Sequence, residues 1–130
     1  GPTAELVMEV IQPLPLLKAD PELLQRALTN LLDNALRATP PTGRIVLRLL
    51  AGPGEPPDYL EMTVKDNGPG IPAALLPRLF QPFATGRQGG TGLGLANVRK
   101  IVTAHGGQVS ADNLPAGGAS FAIRLPLVQA

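Results

Sequence analysis

Asn30, Asn34 and Arg37 recur at i, i+4 and i+7, a spacing that lines them up along one face of a helix, opposite its leucine face. Asn is a poor helix former, so two on one face lower helix propensity for no packing gain. Amide oxygens can ligate Mg²⁺ and a guanidinium can hold phosphate, which suits the stripe to a polyanion carried with a hard cation. A solvated helix face explains the triplet equally well when it is taken alone.

Two further segments narrow the choice. In Asp66-Asn67-Gly68-Pro69-Gly70-Ile71, Asp66 shares the parity of Leu60, Met62 and Val64 and so points inward from a strand end. A carboxylate aimed at a core is costly unless hydrogen-bond donors meet it. Gly68 and Gly70 permit positive φ angles and a close ligand approach that side chains would block. An ordinary Asn-Gly turn accounts for residues 67–70 but not for the inward Asp66. The second segment, Gly89-Gly90-Thr91-Gly92-Leu93-Gly94-Leu95, runs directly into a helix. Glycines at a helix start expose N–H groups and the positive end of the dipole, which together favour phosphate. No Gly-Lys-Ser/Thr follows, so this is not a P-loop.

The elements that must carry these residues are legible from periodicity. Residues 5 to 11 read as a first strand. Asp20-Pro21 has the form of an N-cap followed by Pro at the first helical position. From there Leu24, Ala27, Leu28, Leu31, Leu32 and Ala35 give one apolar face as far as about Ala38. Pro40 to Gly43 ends that helix. Two strands follow, through Ile45, Leu47 and Leu49 and through Leu60, Met62 and Val64, joined by a Pro/Gly loop that reads as mobile. Residues 68 to 91 form a Gly-rich lid with a helical turn or two near Ala73 to Phe80, and with Phe80 and Phe83 as its apolar anchors. A second helix over 92–104, with Leu95, Val98, Ile101 and Val102 inward, stops at Gly106. A hairpin of residues 108–112 and 120–125 closes the chain. The order β-α-β-β-lid-α-β-β describes an α+β fold, a two-layer α/β sandwich with helices on one face of a mixed sheet.

Composition sets the boundaries. At 130 residues the chain is read as one domain, 1–130. Aromatics make up only 3% with no Trp, so the core must be aliphatic. Eleven basic and ten acidic residues give a net charge of +1, which provides no field for nucleic acid. Without Cys there are no disulfides and no thiolate metal sites, in keeping with a reducing, cytoplasmic setting. No apolar run approaches the roughly 20 residues that span a bilayer, and no secretory signal is evident.

Taken in order, these segments resemble the boxes of sensor histidine kinase catalytic domains, members of the GHKL superfamily with its Bergerat fold. Asn30-Leu-Leu-Asp-Asn34-Ala-Leu-Arg37 resembles the N box. Asp66 to Gly70 resembles the first glycine box, Leu79-Phe80-Gln81-Pro82-Phe83 the F box, and Gly90-Thr91-Gly92-Leu93-Gly94-Leu95 the second glycine box. The endings Ala104-His105-Gly106-Gly107 and Phe121 to Pro126 are similar too, so the resemblance covers residues 5 to 126. Leu36-Arg37-Ala38 and the short lid look closest to the nitrogen-regulation type. Departures fall on adenine: Ala38 stands where many members carry an aromatic, Arg37 where Lys is common, and Ala119 where a hydroxyl is frequent.

The resemblance implies a left-handed β-α-β nucleotide fold that binds ATP with Mg²⁺. Asp66 would meet adenine's amino group, beside Gly68 and Gly70. Asn34 would be the metal ligand. Arg37, Arg87 and the Gly90, Thr91, Gly92, Leu93, Gly94 and Leu95 segment would hold phosphate charge. Asn30 would be the catalytic residue that orients the γ-phosphoryl group or the attacking imidazole. ATP-hydrolysing relatives place a Glu base where Asn30 stands, and an amide cannot take a proton. His105 matches the structural helix-ending His-Gly-Gly, so the acceptor histidine belongs on a dimerisation domain upstream, in a parent protein with or without a membrane anchor. The implied partners are ATP, that acceptor domain and, indirectly, a response regulator, with the isolated domain monomeric. An anti-sigma-factor-type serine kinase and an ATP-gated conformational domain are the alternatives.

Overall fold

The computed structural model describes residues 4–11, 13–54, 56–84 and 93–127. Strand β1 (Glu5–Val10) leads into helix α1 (Pro21–Ala38), whose start is capped by Asp20. One Asp20 carboxylate oxygen accepts from the N–H groups of Glu22 and Leu23 at 3.0 and 3.1 Å, satisfying two donors that a helix start leaves open. At the other end Thr39 is extended before Pro40, as a residue preceding Pro must be. Its hydroxyl donates to the Ala35 carbonyl at 2.6 Å.

Strand β2 (Arg44–Ala51) runs parallel to β1, so α1 is the crossover between neighbouring parallel strands. Strand β3 (Tyr59–Asp66) returns antiparallel to β2. A short 3-10 turn at Leu76–Arg78 then precedes helix α2 (Gly94–Ala104). The hairpin of β4 (Gln108–Asn113) and β5 (Ala119–Pro126) completes a five-stranded mixed sheet of order β1-β2-β3-β5-β4. The α+β architecture is the one expected. The predicted start of the second helix at Gly92 lies outside the described residues.

Register explains the layering. Ile45 faces Asp66, Leu47 faces Val64, and Val64 faces Phe121, so one parity set of each strand builds a common face. That face is buried under the helices: Ile45, Val64, Phe121, Ile123 and Leu125 are almost wholly enclosed, with Leu31 of α1 and Val98 and Val102 of α2 above them. Each such side chain contributes about 1.5–3 kcal/mol by leaving water. The opposite face is polar, with Glu5–Arg44 and Glu61–Arg124 pairs at 2.7 and 2.8 Å. Helix α1 packs on α2 and over β3, while α2 lies over β4 and β5. Leu6, Met8 and Val10 of β1 share the helix-side face yet remain exposed, because neither described helix reaches over them.

Two expectations need correction. Asn30 and Asn34 are half-buried on the flank of α1, beside the buried Ala27, Leu31 and Ala35 rather than opposite them. Phe80 is an anchor, packed edge-on to Phe121 with centroids 6.4 Å apart, but Phe83 is 74% exposed and holds nothing in place. Leu75, Leu79 and Ala84 do the anchoring that sequence reasoning gave to Phe83. Their contribution was missed because that stretch has no helical period to mark an inward side.

Candidate functional site

Asp66 ends β3 with the inward parity of Val64 and is 3% exposed. Its Oδ1 accepts from the N–H groups of Gly68 at 2.9 Å and Ala119 at 3.3 Å. Its Oδ2 is buried and has no hydrogen-bond partner among the described residues. A buried acceptor left unmade costs about 1–3 kcal/mol, and more when it is charged. The atom is thus an acceptor that no described residue satisfies.

The loop around Asp66 is braced on every side. A Cβ at Gly68 would run into the Ala38 carbonyl oxygen, so this glycine lets the loop abut the end of α1. The expectation that Gly68 serves a positive φ or clears space for a ligand is corrected: its neighbour is backbone. Gly70 does adopt a positive φ, +86°. Gly118, in the turn between β4 and β5, has φ +93°, and a Cβ there would overlap the Asp66 carbonyl oxygen. Two amide side chains complete the bracing. Asn67 Oδ1 accepts from Arg44 N–H at 2.8 Å, tying the loop to the start of β2. Asn113 makes two hydrogen bonds with Ile71. Neither amide role was legible in the sequence, because both join residues far apart in the chain.

The other end of the site lies between the two helices. Asn30 Nδ2 donates to the Gly94 carbonyl at 3.4 Å, drawing the polar stripe of α1 to the start of α2. An open cavity of about 450 Å³ there is lined by Asn30, Leu93, Gly94, Ala96, Asn97 and Lys100. The N-terminus of α2 carries no side-chain cap, in contrast to the Asp20 cap of α1. A Cβ at Gly94 would meet nothing within 4 Å, so packing within the chain does not demand glycine there. Leu95 turns inward onto the core and Leu93 stays exposed. Asn34 follows Asn30 one turn along α1, and Arg37 is exposed in the last turn. From Asn30 to Ala38, where Gly68 abuts, α1 rises about 12 Å. The stripe therefore connects the cavity to the Asp66 corner. Arg87, Gly90, Thr91 and Gly92 lie outside the described residues.

His105 has both ring nitrogens engaged. Nε2 accepts from Asp20 N–H at 3.1 Å and Nδ1 lies 2.8 Å from the Ile101 carbonyl, a pairing that the neutral Nδ1–H tautomer satisfies. The ring thus staples the end of α2 to the cap of α1. Among the described residues no cluster of three or more His, Cys, Asp or Glu could hold a metal, and no helix is long and apolar enough to cross a membrane.

Along α1 the described residues thus set an inward carboxylate at one end and, at the other, a helix start beside an open cavity, with the amide stripe between them. The chain belongs to the family of histidine kinase-, DNA gyrase B-, and HSP90-like ATPases, whose model matches residues 19–129. It is 44% identical over 117 residues to the sensor histidine kinase RcsC of Escherichia coli, covering 85% of this chain and 12% of that protein. It is 36% identical over 126 residues to the adaptive-response sensory kinase SasA of Rippkaea orientalis, covering 94% of this chain and 32% of that one. Among solved structures it superimposes on the mycobacterial sensor histidine kinase MprB with a TM-score of 0.83 at 33% identity, covering 98% of this chain and 84% of that one. Full-length ShkA in complex with AMPPNP gives a TM-score of 0.84 at 32% identity, covering 98% of this chain and 26% of ShkA. Within the family the chain is an ATPase domain of the sensor histidine kinase kind.

Proposed function

We propose that this domain binds ATP with Mg²⁺ and passes the γ-phosphoryl group to a histidine on a separate dimerisation domain of its parent kinase. The observation that carries the reading is the buried, unpartnered Oδ2 of Asp66. Adenine's exocyclic amino group is a donor of the right kind for it, with Gly68 and Gly70 beside it. On this reading Arg37, in the last turn of α1, and the backbone from Leu93 to Leu95 hold phosphate, together with Arg87 and the Gly90-Thr91-Gly92 segment, which lie outside the described residues. The AMPPNP bound by ShkA, a structural neighbour, supports a nucleotide here.

The donor set suits Mg²⁺ poorly as a protein-only site and well as a shared one. On this reading the Asn34 amide oxygen would be the chain's ligand, and triphosphate and water oxygens would supply the rest. The metal, when bound, offsets the charge of the triphosphate. In the transfer itself the imidazole nitrogen of the acceptor forms a bond to the γ-phosphorus as the bond to the ADP oxygen breaks, and ADP leaves. Asn30 orients the reacting groups, and as an amide it does not activate water. Catalysis of this kind is mostly positioning and electrostatics. His105 is committed to Asp20 and Ile101, which supports an acceptor outside this chain.

The partners on this reading are the acceptor-histidine domain and, downstream of it, a response regulator, in the cytoplasm where ATP is available. The nitrogen-regulation subtype rests on Leu36-Arg37-Ala38 and the short lid alone. Mixing the chain with a purified acceptor-histidine domain and γ-labelled ATP tests the proposal. Acid-labile label should appear on the acceptor histidine and vanish with EDTA. Acid-stable label on serine would favour the anti-sigma type, and nucleotide-dependent structural change without transfer would favour a gating domain.

A further inference from the structure

Asn113 is the last residue of β4, and its register partner is Ala119, so it shares the sheet face to which Asp66 belongs. Its side chain spends both halves of its amide on a single residue. Ile71 N–H donates to Oδ1 at 2.6 Å, and Nδ2 donates to the Ile71 carbonyl at 2.8 Å. A carboxamide used this way imitates the donor and acceptor that a neighbouring strand would offer. The grip falls one residue beyond Gly70, the loop's positive-φ position. Glycine has the widest backbone freedom of any residue, so the segment that follows it is free to swing unless something beyond it is held. The contact is close as well: a Cβ on Gly70 would stand 2.9 Å from Asn113 Oδ1.

The loop's other braces around Asp66 act before Gly70. Asn67 binds Arg44, Gly68 abuts Ala38, and Asp66 Oδ1 takes the N–H groups of Gly68 and Ala119. Beyond Gly70, Ile71, Leu75 and Leu79 pack on the core, and the Asn113 pair adds side-chain hydrogen bonds to the Ile71 backbone itself. Apolar packing is non-directional, so the orientation of the peptide that follows Gly70 depends on the Asn113 pair. Asn113 is itself exposed, so its value to the fold is small, and two solvent-accessible neutral hydrogen bonds contribute little to stability.

We infer that Asn113 is a positioning residue for the nucleotide: by clamping Ile71 it holds Gly70 in the conformation that builds the outer wall of the Asp66 site before nucleotide arrives. The inference rests on the reading of Asp66 as the base contact. Without the clamp the loop must be ordered at the moment of binding, and that cost appears as lost affinity. Two measurements on the whole chain test it. In Asn113→Ala, hydrogen exchange at the Ile71 amide should quicken at least tenfold without nucleotide, and the Kd for ATP should rise about tenfold, while the thermal midpoint stays near that of the parent chain. Asp112→Ala, one residue earlier on the same strand with its side chain on the other face, should leave both readings unchanged. Unchanged ATP affinity in Asn113→Ala overturns the inference. So does a loss of affinity with Ile71 exchange unaltered, because the side chain would then act by another route. If the alanine variant does not fold, Asn113→Ser, which is too short to reach both Ile71 groups, carries the same two expectations. Failure of the parent chain to bind ATP would overturn the proposed function, while Ile71 exchange would still report on the clamp.

Discussion

The two ends of the α1 stripe differ in what satisfies their polar groups. At the Asp66 corner the chain supplies almost everything: Arg44, Ala119, Gly68 and Asn113 brace one short loop from β2, β4 and β5, and a single carboxylate oxygen is left over. At the α1–α2 opening the described residues show a different pattern. Among them, one long 3.4 Å contact joins Asn30 to Gly94, Leu93 at the N-cap position makes no side-chain cap, and a Cβ on Gly94 would meet nothing within 4 Å. On the proposed function the corner recognises one rigid group, the base, and the opening takes the phosphates. Rigid recognition of a base and adaptable handling of a chain of phosphates are the tasks that division suits, since charge attraction tolerates displacement and a single directional hydrogen bond does not.

Substitutions at the two ends should fail in different ways. Gly118→Ala should have the largest effect, because it forces a Cβ against the Asp66 carbonyl at a φ that alanine resists. Strain and overpacking together should remove about 3 kcal/mol of stability, seen as a lowered urea midpoint and accompanied by weaker nucleotide binding. A variant with full stability would show that the corner yields, and the contrast between the ends would collapse.

Asp66→Asn should come next. The amide oxygen can keep the Gly68 and Ala119 bonds, so the fold should survive, but an NH₂ now stands where the unpartnered oxygen was. Losing a charge-assisted bond and facing donor with donor should cost about 2–3 kcal/mol, some 30-fold or more in ATP affinity by calorimetry. Undiminished affinity would remove Asp66 from the site.

Asn30→Ala should have the smallest effect, and of a different kind. Transfer to the acceptor domain should slow about tenfold, on the order of 1.4 kcal/mol, with ATP affinity near that of the parent chain. Equal losses in rate and affinity would make the opening a binding surface like the corner, and no loss in either would return Asn30 to the solvated-face reading.

Much of this division was legible before any coordinates. The inward parity of Asp66 follows from Leu60, Met62 and Val64, because alternation along a strand is a local rule. The Asp20-Pro21 start of α1 was likewise readable, since a cap is satisfied by residues two and three positions on. Phe83 was misjudged because hydrophobicity alone does not reveal direction in an aperiodic stretch, and nothing in the composition announces its backbone φ of 65°. The line of Asn30 and Asn34 was correct and its facing was not, because α2 packs against that flank and sequence periodicity does not say where a second helix will lie.

The sequence by itself determined the elements, their order, the aliphatic core and the residue types available for phosphate and metal, because periodicity, caps and turn residues act over a few positions. Tertiary structure decided what each polar side chain is for. Asn67 and Asn113 look like turn residues until the sheet order brings Arg44 and Ile71 within hydrogen-bond reach. Gly68 reads as room for a ligand until Ala38 occupies that room. Asp66 shows its one free oxygen only when both donors to the other are in place. These are pairings across 23 to 53 positions of chain, and a hydrogen bond depends on distances of tenths of an ångström that only the packed sheet sets.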